Sequence, residues 1–423
     1  MEETMQGRYD VIVAGGGSAG ICAALQAARA GARTALIEMT GVLGGTTTAG
    51  GVNFPGLFHA WGKQVIKGIG WELVEKTVAL DRGIMPDFSG TPKRHWEQQV
   101  HINPYVFACV SEEECLRAGV SLRYHEIMAN LSYIADAWHV DTIGKSGVAA
   151  HLTAKEIIDC TGDADIIRMS GYACETSETR QPGTLMISFD GYDINTLDRD
   201  RIDEEYRKAL SDGRLIPGDF AQSKTAFMPF LRGHGGNQVH IFGADSSTAA
   251  KKTDADIRGR AAALRLLRFM RTLPGCEKTF IKSMSLTTGI RETYRIAGEY
   301  TITHDDYISG RKFDDSVCYS FYPIDVHDEN GVIPKPLNPG TVPSVPLRAL
   351  IPAGSGHILA AGRIISSDRL ANSALRIQAT CMATGQAAGA AAALASHGGI
   401  TPSAVAQSEL RTILETHGAI IPV

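Results

Sequence analysis

Residues 10–38 read DVIVAGGGSAGICAALQAARAGARTALIE, and this stretch decides the fold. Residues 11–14 form a short apolar run suited to a buried strand, and the glycines after it lead directly into an alanine-rich helix. A second apolar run, residues 34–37, ends at Glu38. Strand, glycine turn, helix, strand and acid follow one another as in a dinucleotide-binding unit. The sequence therefore predicts an α/β protein with a Rossmann-like parallel sheet.

The glycines and the acid of this stretch each have a predicted task. Gly15 permits the tight turn, Gly17 lets the backbone approach a pyrophosphate, and Gly20 lets helix and strand pack closely. The helix N-terminus offers free N–H groups and a partial positive charge to the phosphates. Glu38 is placed to accept hydrogen bonds from a ribose diol, and an acid here argues against a 2′-phosphate. The expected ligand is FAD or NAD rather than NADP.

Length and composition exclude several classes of protein. The 423 residues exceed a usual single core, so two domains are expected, and the net charge of −5 gives no attraction to nucleic acid or an anionic membrane. The eight cysteines are scattered without a C-x-x-C pair, which argues against a zinc ribbon, a thioredoxin-like centre or a ferredoxin, and we predict no metal. The N-terminus shows no secretory signal, and the alanine run at residues 379–394 is too short to span a membrane. We expect a cytoplasmic protein.

The segments after Glu38 supply candidate ligand contacts. Residues 41–51 combine glycines with small hydroxyl side chains, which indicates a loop wrapped around a flat group with its amides near phosphates. Residues 53–71 carry several aromatic side chains and His59. This aromatic cluster either lines a substrate pocket or packs under a predicted helix at 71–80, and the sequence favours neither.

The chain changes character between residues 183 and 273, where charged helical patterns flank strand-like runs. We predict that residues 183–273 form a smaller α+β domain that acts as a substrate or cap domain. Residues 1–182 and 274–423 would form the nucleotide-binding domain, whose parallel sheet carries a β-hairpin insertion with strands at 131–140 and 147–152.

Two histidines of the second half differ in their settings. His240 alternates with apolar neighbours in a strand-like run of the predicted second domain, which favours a structural or exposed histidine over a catalytic one. Residues 320–327 place Tyr322, Asp325 and His327 in one extended run. An aromatic hydroxyl, an acid and an imidazole so close together make Tyr322 and His327 candidates for proton transfer.

Arg291, Glu292 and Arg295 lie three or four residues apart. On a helix they would share one face, where they could clamp an acidic group. An internal ion-pair network is the equally weighted alternative.

The last third of the chain returns to the nucleotide theme. Residues 357–363 form an apolar strand that ends in glycine and arginine, and Arg376 opens a predicted long helix of small residues that runs to His397. A helix whose surface is nearly all alanine and glycine allows close approach by its neighbours. If its N-terminus points at a cofactor, its dipole stabilises negative charge there.

With these segments in view, the sequence resembles the FAD-dependent oxidoreductase family of the glutathione-reductase-like flavoprotein superfamily. That superfamily also holds fumarate reductases, succinate dehydrogenase flavoproteins and tricarballylate dehydrogenase. The resemblance covers nearly the whole chain in separate blocks, which are residues 10–38, 43–45, 118–120, 159–165, 289–292 and 361–389. The first and last blocks together are specific, because an FAD protein needs a distant return segment to hold the ribityl chain and flavin.

The resemblance implies a set of FAD contacts along the chain. These are Gly15, Gly17, Ser18, Ala19, Gly20, Glu38, Met39, Gly44, Gly45, Thr46, Thr161, Gly162, Gly362, Arg363, Arg376 and Ile377. Gly362 and Arg363 would lie at the ribityl chain, although many members have aspartate at the second position. Arg376 and Ile377 would approach the pyrimidine edge of the flavin, where partial positive charge favours the anionic reduced form.

The expected function is transfer of a hydride between flavin N5 and a small polar organic substrate, such as a hydroxy acid, a carboxylic acid or a sugar-like alcohol. His59, Tyr322 and His327 are the candidates for proton transfer, and Arg291 and Arg369 are the candidates for an anion clamp. No segment matches the aromatic hydroxylases, which argues against a monooxygenase. An NAD-dependent Rossmann enzyme and a flavoprotein binding module with a structural cofactor are the alternatives. Whether the chain forms a homo-oligomer stays open.

Overall fold

The computed structural model describes residues 5–90, 92, 94–145, 147–328, 331–332 and 334–423. A five-stranded parallel sheet, here the central sheet, forms the middle of the molecule. Its strands, in spatial order, are Ile358–Ala360, Glu156–Asp159, Val11–Ala14, Thr34–Glu38 and Ser121–Tyr124. The two strands of the opening stretch are buried throughout, as their unbroken apolar runs predict for a parallel sheet covered on both faces.

The helix Ser18–Arg29, here the first helix, begins directly after the glycine turn. Gly15 has φ +94°, a conformation that glycine adopts without strain. A Cβ on Gly20 would lie 1.8 Å from the carbonyl oxygen of Gly15, so this position accepts no side chain. Both glycines therefore hold the first helix against the end of the strand Val11–Ala14, as the sequence predicts.

The helix Gln378–Gly398 packs along the first helix. It is called the last helix here because it is the last long one; the ten-residue helix Gln407–Thr416 follows it. Cβ atoms on Gly385 and Gly389 would lie 2.1 and 2.3 Å from the carbonyl oxygens of Ala19 and Ala23. The close approach predicted from the small residues is confirmed. The predicted start is wrong, because Arg376 ends a separate helix, Arg369–Leu375, and the last helix begins after Ile377 in extended conformation.

A four-stranded sheet forms the predicted hairpin insertion. Its strands, in spatial order, are Met5–Arg8, Gly147–Ala154, Ala137–Gly144 and Ile127–Ile134. The predicted strand 131–140 is divided, because Ala135 and Asp136 have positive φ and turn the chain between two antiparallel strands.

A three-stranded antiparallel sheet, here the cap sheet, has its own hydrophobic core. Gly183–Asp190 pairs with Gly235–Ile241 on one side and with Phe280–Met284 on the other. The helices Arg199–Ser211 and Ala249–Met270 accompany it. Tyr206, Phe220, Phe227, Phe230 and Phe269 form a cluster of aromatic rings in this core.

The remaining strands are short, and three of the remaining helices have ten or more residues. The helices are Ile69–Leu80, Pro104–Arg117, Asp165–Met169, Met228–Arg232, His304–Ser309 and Gln407–Thr416. The strands are His59–Ala60, Lys63–Gln64, Cys174–Thr176, Tyr294–Ile296, Ser316–Tyr319, His327–Asp328, Gly331–Val332 and Ser344–Pro346. Within the described ranges, no helix combines the length and apolarity needed to cross a membrane.

The predicted helical face of Arg291, Glu292 and Arg295 is wrong. Residues 289–293 run in irregular conformation into the short strand Tyr294–Ile296, which pairs with Cys174–Thr176. Arg291 lies in the irregular run and lines a cavity, whereas Arg295 lies in the strand and donates through Nε to the backbone oxygen of Ser367.

Candidate functional site

A cavity of about 440 Å³ lies where strands of the central sheet end. Ala14, Glu38, Cys160 and Ala361, each at or just beyond the carboxyl end of such a strand, contribute to its wall. Ligands of open α/β sheets bind at this edge. The cavity then continues to the cap sheet, where Thr184 and Asn237 line it.

One end of the cavity is organised by Glu38. Its Oε2 accepts a hydrogen bond from the Gly16 amide at 2.7 Å, and its Oε1 accepts from the Thr40 amide and hydroxyl at 2.8 Å each. The carboxylate thus ties the glycine turn to the end of the strand Thr34–Glu38, and Glu38 also lines the cavity. Met39 also lines this end and is largely exposed. An oriented carboxylate beside an open apolar side chain suits the ribose and adenine of a dinucleotide.

The glycine turn forms the next part of the wall. A Cβ on Gly17 would meet no described atom within 4 Å, so the backbone is bare towards the cavity. Ser18 and Ala19, at the start of the first helix, lie beside it, as do Gly45 and Thr46 of the following loop. Backbone amides and a helix N-terminus at one place form the arrangement that binds phosphate groups.

A buried threonine locks this loop in place. Gly44 donates through its amide to the carbonyl of Gly16 at 2.8 Å, which sets the loop beside the turn. The Thr47 hydroxyl is fully buried, lies 3.1 Å from the Ser18 hydroxyl and donates to Oε1 of Gln378 at 2.5 Å. Thr47 therefore connects the loop to the N-termini of the first and the last helix. The sequence offered no indication of this role, because many small hydroxyls lie nearby.

Arg363 crosses the middle of the cavity wall. Its Nη2 donates to Oδ1 of Asp163 at 2.9 Å, and the same oxygen accepts from the hydroxyls of Ser246 and Thr293 at 2.7 Å each. A Cβ on Gly162 would lie 2.6 Å from the Arg363 guanidinium carbon, so glycine makes room for this side chain. The buried Nε of Arg363 has no hydrogen-bond partner among the described residues. A buried donor without a partner indicates that a ligand oxygen accepts its hydrogen bond.

The far end of the cavity carries two arginines. Arg291 is almost fully buried, and its Nη1 donates to the carbonyl of Pro182 at 2.5 Å rather than to a carboxylate. Burial, and then the charge of Arg376, lower the pKa of Arg291 to about 9. Arg376 donates through Nη2 to the backbone oxygen of Asp325 at 3.1 Å and to Oε1 of Gln181 at 3.3 Å. Its buried Nε has no partner in the described part of the chain.

Asp325, His327 and His240 form a hydrogen-bonded row beside these arginines. Nε2 of His327 lies 3.0 Å from Oδ2 of Asp325, and Nδ1 of His327 lies 3.3 Å from Nε2 of His240. Burial acts to raise the pKa of Asp325, but the hydrogen bond with His327 and the nearby positive charges lower it to about 2. Burial, and then the charge of Arg291, lower the pKa of His327 to about 4 and of His240 to about 2. At neutral pH the row holds one carboxylate and two neutral imidazoles.

Tyr322 completes this end of the cavity. Its hydroxyl accepts a hydrogen bond from Nε2 of Gln99 at 3.2 Å, and burial raises the pKa of the phenol. The phenol therefore stays protonated and can donate a hydrogen bond to a bound oxygen. Ile377, Gln378 and Cys381, at the start of the last helix, line the cavity close to this end.

Not every predicted site residue lines the cavity. His59 stacks on Phe88, with ring centroids 3.8 Å apart, and meets the edge of Trp71. It therefore packs within the aromatic cluster, the second of the two alternatives that the sequence left open. Arg369 forms an ion pair through Nε with Oε1 of Glu292 at 3.2 Å. Gly20 and Gly44 lie behind the wall that they shape. The other predicted residues, Thr161, Gly162, Gly362, Arg376 and Ile377 among them, line the cavity together.

Sequence reasoning missed three residues of the site. Gln181 is fully buried and accepts from Arg376 and from the His327 amide while its own amide groups bind Glu292. His240 is buried against His327, which agrees with a structural rather than an exposed histidine, but the sequence does not indicate that contact. For Asp325, the sequence indicates only that it lies two residues before His327. Gln181, His240 and Asp325 lie far apart along the chain, so the sequence does not indicate the contacts that they make.

The fold and the site define a dinucleotide-binding protein of the α/β class. The family model described as FAD dependent oxidoreductase matches residues 10–414. The chain belongs to this family, and its cofactor is FAD. The match selects FAD over NAD, the alternative that residues 10–38 left open.

Three solved structures resemble the chain at low identity. The anhydrotetracycline hydroxylase OxyS from Streptomyces rimosus is 14% identical with a TM-score of 0.44, and the match covers 97% of this chain and 66% of the hydroxylase. A geranylgeranyl bacteriochlorophyll reductase-like protein from Thermoplasma acidophilum is 12% identical with a TM-score of 0.46 and coverages of 98% and 92%. The p-nitrophenol 4-monooxygenase from Pseudomonas putida is 12% identical with a TM-score of 0.43 and coverages of 98% and 85%. The chain thus spans just under two thirds of the hydroxylase. No curated protein matches the chain.

Proposed function

We propose that this FAD-dependent oxidoreductase transfers a hydride between flavin N5 and a small organic substrate that carries a carboxylate. One observation carries the proposal. Arg291, which is buried, and Arg376, whose side chain is 11% exposed, line the same end of the cavity as the row of Asp325 and His327. The cavity end thus combines an anion clamp with a group that moves protons, which oxidation of an alcohol or reduction of a double bond next to a carboxylate requires.

The charges at this end favour an anionic substrate. Arg291 and Arg376 bring two positive charges, and Asp325 brings one negative charge that lies 3.6 Å from Arg376. A substrate carboxylate would balance the surplus and would accept hydrogen bonds from the guanidinium groups. Among the substrates predicted from the sequence, hydroxy acids and carboxylic acids fit these charges better than neutral sugar-like alcohols. A relation to the fumarate reductase and tricarballylate dehydrogenase group is part of this proposal.

His327 is the proposed proton carrier. Its imidazole lines the cavity, and its hydrogen bond to Asp325 orients the ring and stabilises the positive charge that forms when the ring accepts a proton. Tyr322, which also lines the cavity, is the second candidate for proton transfer. His59 and Arg369 lie outside the cavity wall, so they take no part in the proposal.

The bare glycine turn and the unpartnered Nε atom of Arg363 fit FAD. We propose that Glu38 holds the adenosine ribose, that Gly17 and Gly45 flank the diphosphate, and that Arg363 reaches the ribityl chain. FAD supplies the hydride acceptor or donor when it is bound. The start of the last helix would face the pyrimidine edge of the flavin.

We also propose the division of the chain into an FAD-binding unit, residues 1–182 and 274–423, and a cap unit, residues 183–273. The strand Phe280–Met284 pairs within the cap sheet, so we add it to the cap unit. In this arrangement the cap unit supplies Thr184 and Asn237 to the substrate end of the cavity.

The test is anaerobic bleaching of the oxidised flavin by small hydroxy acids, each paired with its neutral alcohol or amide analogue. We expect bleaching by one or more of the acids and none by the paired neutral compounds. Arg291→Gln should lower the rate constant of bleaching per unit of substrate by about tenfold to a hundredfold, because charge-assisted hydrogen bonds to the carboxylate are lost. The FAD content should stay unchanged.

Arg268→Gln is the matched control, because Arg268 is exposed on the helix Ala249–Met270 of the cap. This variant should bleach like the unaltered protein. Equal bleaching by the neutral analogues, or an Arg291→Gln variant that retains full activity with the acids, would reject the proposed function.

A further inference from the structure

His240 lies on the cap sheet, in the strand Gly235–Ile241, and is 4% exposed. It does not line the cavity, so it does not touch a bound substrate. Its ring nevertheless meets the ring of His327, with centroids 5.1 Å apart and Nε2 3.3 Å from Nδ1. A histidine held this close to the proposed proton carrier controls where that carrier keeps its proton.

The hydrogen bonds allow one pattern of protons on the two rings. The Asp325 carboxylate can only accept, so Nε2 of neutral His327 carries the proton and Nδ1 is bare. His240 must then donate from Nε2, which leaves Nδ1 of His240 bare. Nδ1 of His240 is buried without a hydrogen-bond partner among the described residues, as this pattern requires. The reverse pattern would oppose a lone pair to the carboxylate and bury an N–H without an acceptor.

We infer that His240 is a positioning residue, which donates its Nε2 proton to Nδ1 of His327 and so holds that ring neutral and in one orientation beside Asp325. The catalytic meaning of this inference rests on the proposed function. The contact of 3.3 Å is longer than the 3.0 Å contact with Asp325, so it is the weaker of the two.

The charged and titratable groups around the two rings act on their protonation in opposite directions. Arg291 and Arg376 oppose a further positive charge on His327, whereas Asp325 favours one. The charges of Arg291 and His327 oppose protonation of His240, whereas the charge of Asp325 favours it. Removal of the His240 donor frees a lone pair on His327 for a proton from solution. The protonation of His327 should then occur at higher pH.

The experiment is ¹⁵N NMR of the FAD-loaded protein with labelled histidine, recorded without substrate across a pH series. The resonances of His327 are assigned by their loss in His327→Gln. We expect a protonated Nε2 and a bare Nδ1 in the unaltered protein. His240→Phe and His240→Leu should raise the protonation midpoint of His327 by about one pH unit, since one hydrogen bond that opposes protonation is lost.

His240→Gln should restore most of the unaltered midpoint, because its amide keeps a donor near the same position. His397→Gln, at an exposed histidine of the last helix, should leave the midpoint unchanged. A proton on Nδ1 of His327 in the unaltered protein would overturn the inference, and this measurement needs no variant to fold. An unchanged midpoint in folded, FAD-loaded His240→Phe would also overturn it.

These outcomes are separate from those of the proposed function. The NMR experiment uses no substrate, so it can succeed even if no carboxylate bleaches the flavin. In that case the hydrogen-bonded row stands and the proposed substrate class fails. If the carboxylates bleach the flavin but the proton lies on Nδ1 of His327, the proposed function stands and the role of His240 fails.

Discussion

At the scale of single residues, Glu38 has two tasks that depend on its negative charge. Its oxygens accept hydrogen bonds from the amides of Gly16 and Thr40, and they face the cavity end proposed for the adenosine ribose. A carboxylate only accepts, so it suits two backbone donors and a ribose diol at once. A glutamine at this position would direct one N–H group at a donor.

We therefore expect Glu38→Gln to raise the Kd of FAD by about tenfold or more, since a hydrogen bond to a charged group is replaced by a mismatch. The measurement is a titration of the flavin-free protein, followed by quenching of flavin fluorescence. Glu75→Gln, at an exposed position of the helix Ile69–Leu80, should bind FAD like the unaltered protein. Unchanged FAD affinity in Glu38→Gln would show that the carboxylate does not contribute to binding.

At the scale of elements, the contact between the first and last helices depends on glycine. A Cβ on Gly385 would lie 2.1 Å from the carbonyl oxygen of Ala19, which is backbone and cannot move aside as a flexible side chain can. Ala19 also lines the cavity. A wider spacing of the two helices would therefore displace the wall proposed for the diphosphate.

Gly385→Ala should lower the free energy of unfolding by about 3 kcal/mol and weaken retention of FAD, because the added methyl group overpacks a backbone contact. Denaturant unfolding and the bound-flavin absorbance measure the two effects. Gly398→Ala is the matched control on the same helix, since its nearest side-chain atom would be 3.4 Å away and the site is exposed. Equal stability of the two variants would contradict the packing argument.

At the scale of the whole molecule, a buried acid makes stability depend on pH. Glu156 begins a strand of the central sheet, and burial raises its pKa to about 7 despite a 2.7 Å hydrogen bond with Nδ1 of His357. The hydrogen bond to Glu156 raises the pKa of His357. Both groups bind protons more tightly in the folded chain than in the unfolded chain. Their contribution is therefore present at acidic pH and is lost as the pH rises through about 7.

Between about pH 5 and pH 8, Glu156→Gln should make the free energy of unfolding fall less with rising pH than it does in the unaltered protein. Urea unfolding of the FAD-loaded protein at several pH values measures the slope. Glu415→Gln, at an exposed residue of the helix Gln407–Thr416, should leave the slope unchanged. The same slope in Glu156→Gln and the unaltered protein would refute this linkage.

The sequence predicted the cofactor end of the molecule well and the substrate end in part. The glycine turn, Glu38 and the small residues of the last helix lie where their patterns indicate, because each pattern sits within one contiguous segment. The helical face of Arg291 and Arg295 was wrong, since residues 289–293 are irregular and pairing of Tyr294–Ile296 keeps the chain extended. The exposed or structural reading of His240 missed its contact with His327.

The sequence by itself determined the dinucleotide-binding unit. Strand, turn, helix and acid in residues 10–38 are encoded by local backbone conformation and periodic burial, both of which depend on neighbouring residues. Only the tertiary structure decided the end of the cavity that we propose for the substrate. His240 lies on the cap sheet, Arg376 follows the helix Arg369–Leu375, and Arg291 and Asp325 lie in two irregular segments, so only the tertiary fold brings the four residues together. Which arginine faces the cavity and which nitrogen carries a proton depend on those contacts, and the spacing along the chain does not contain them.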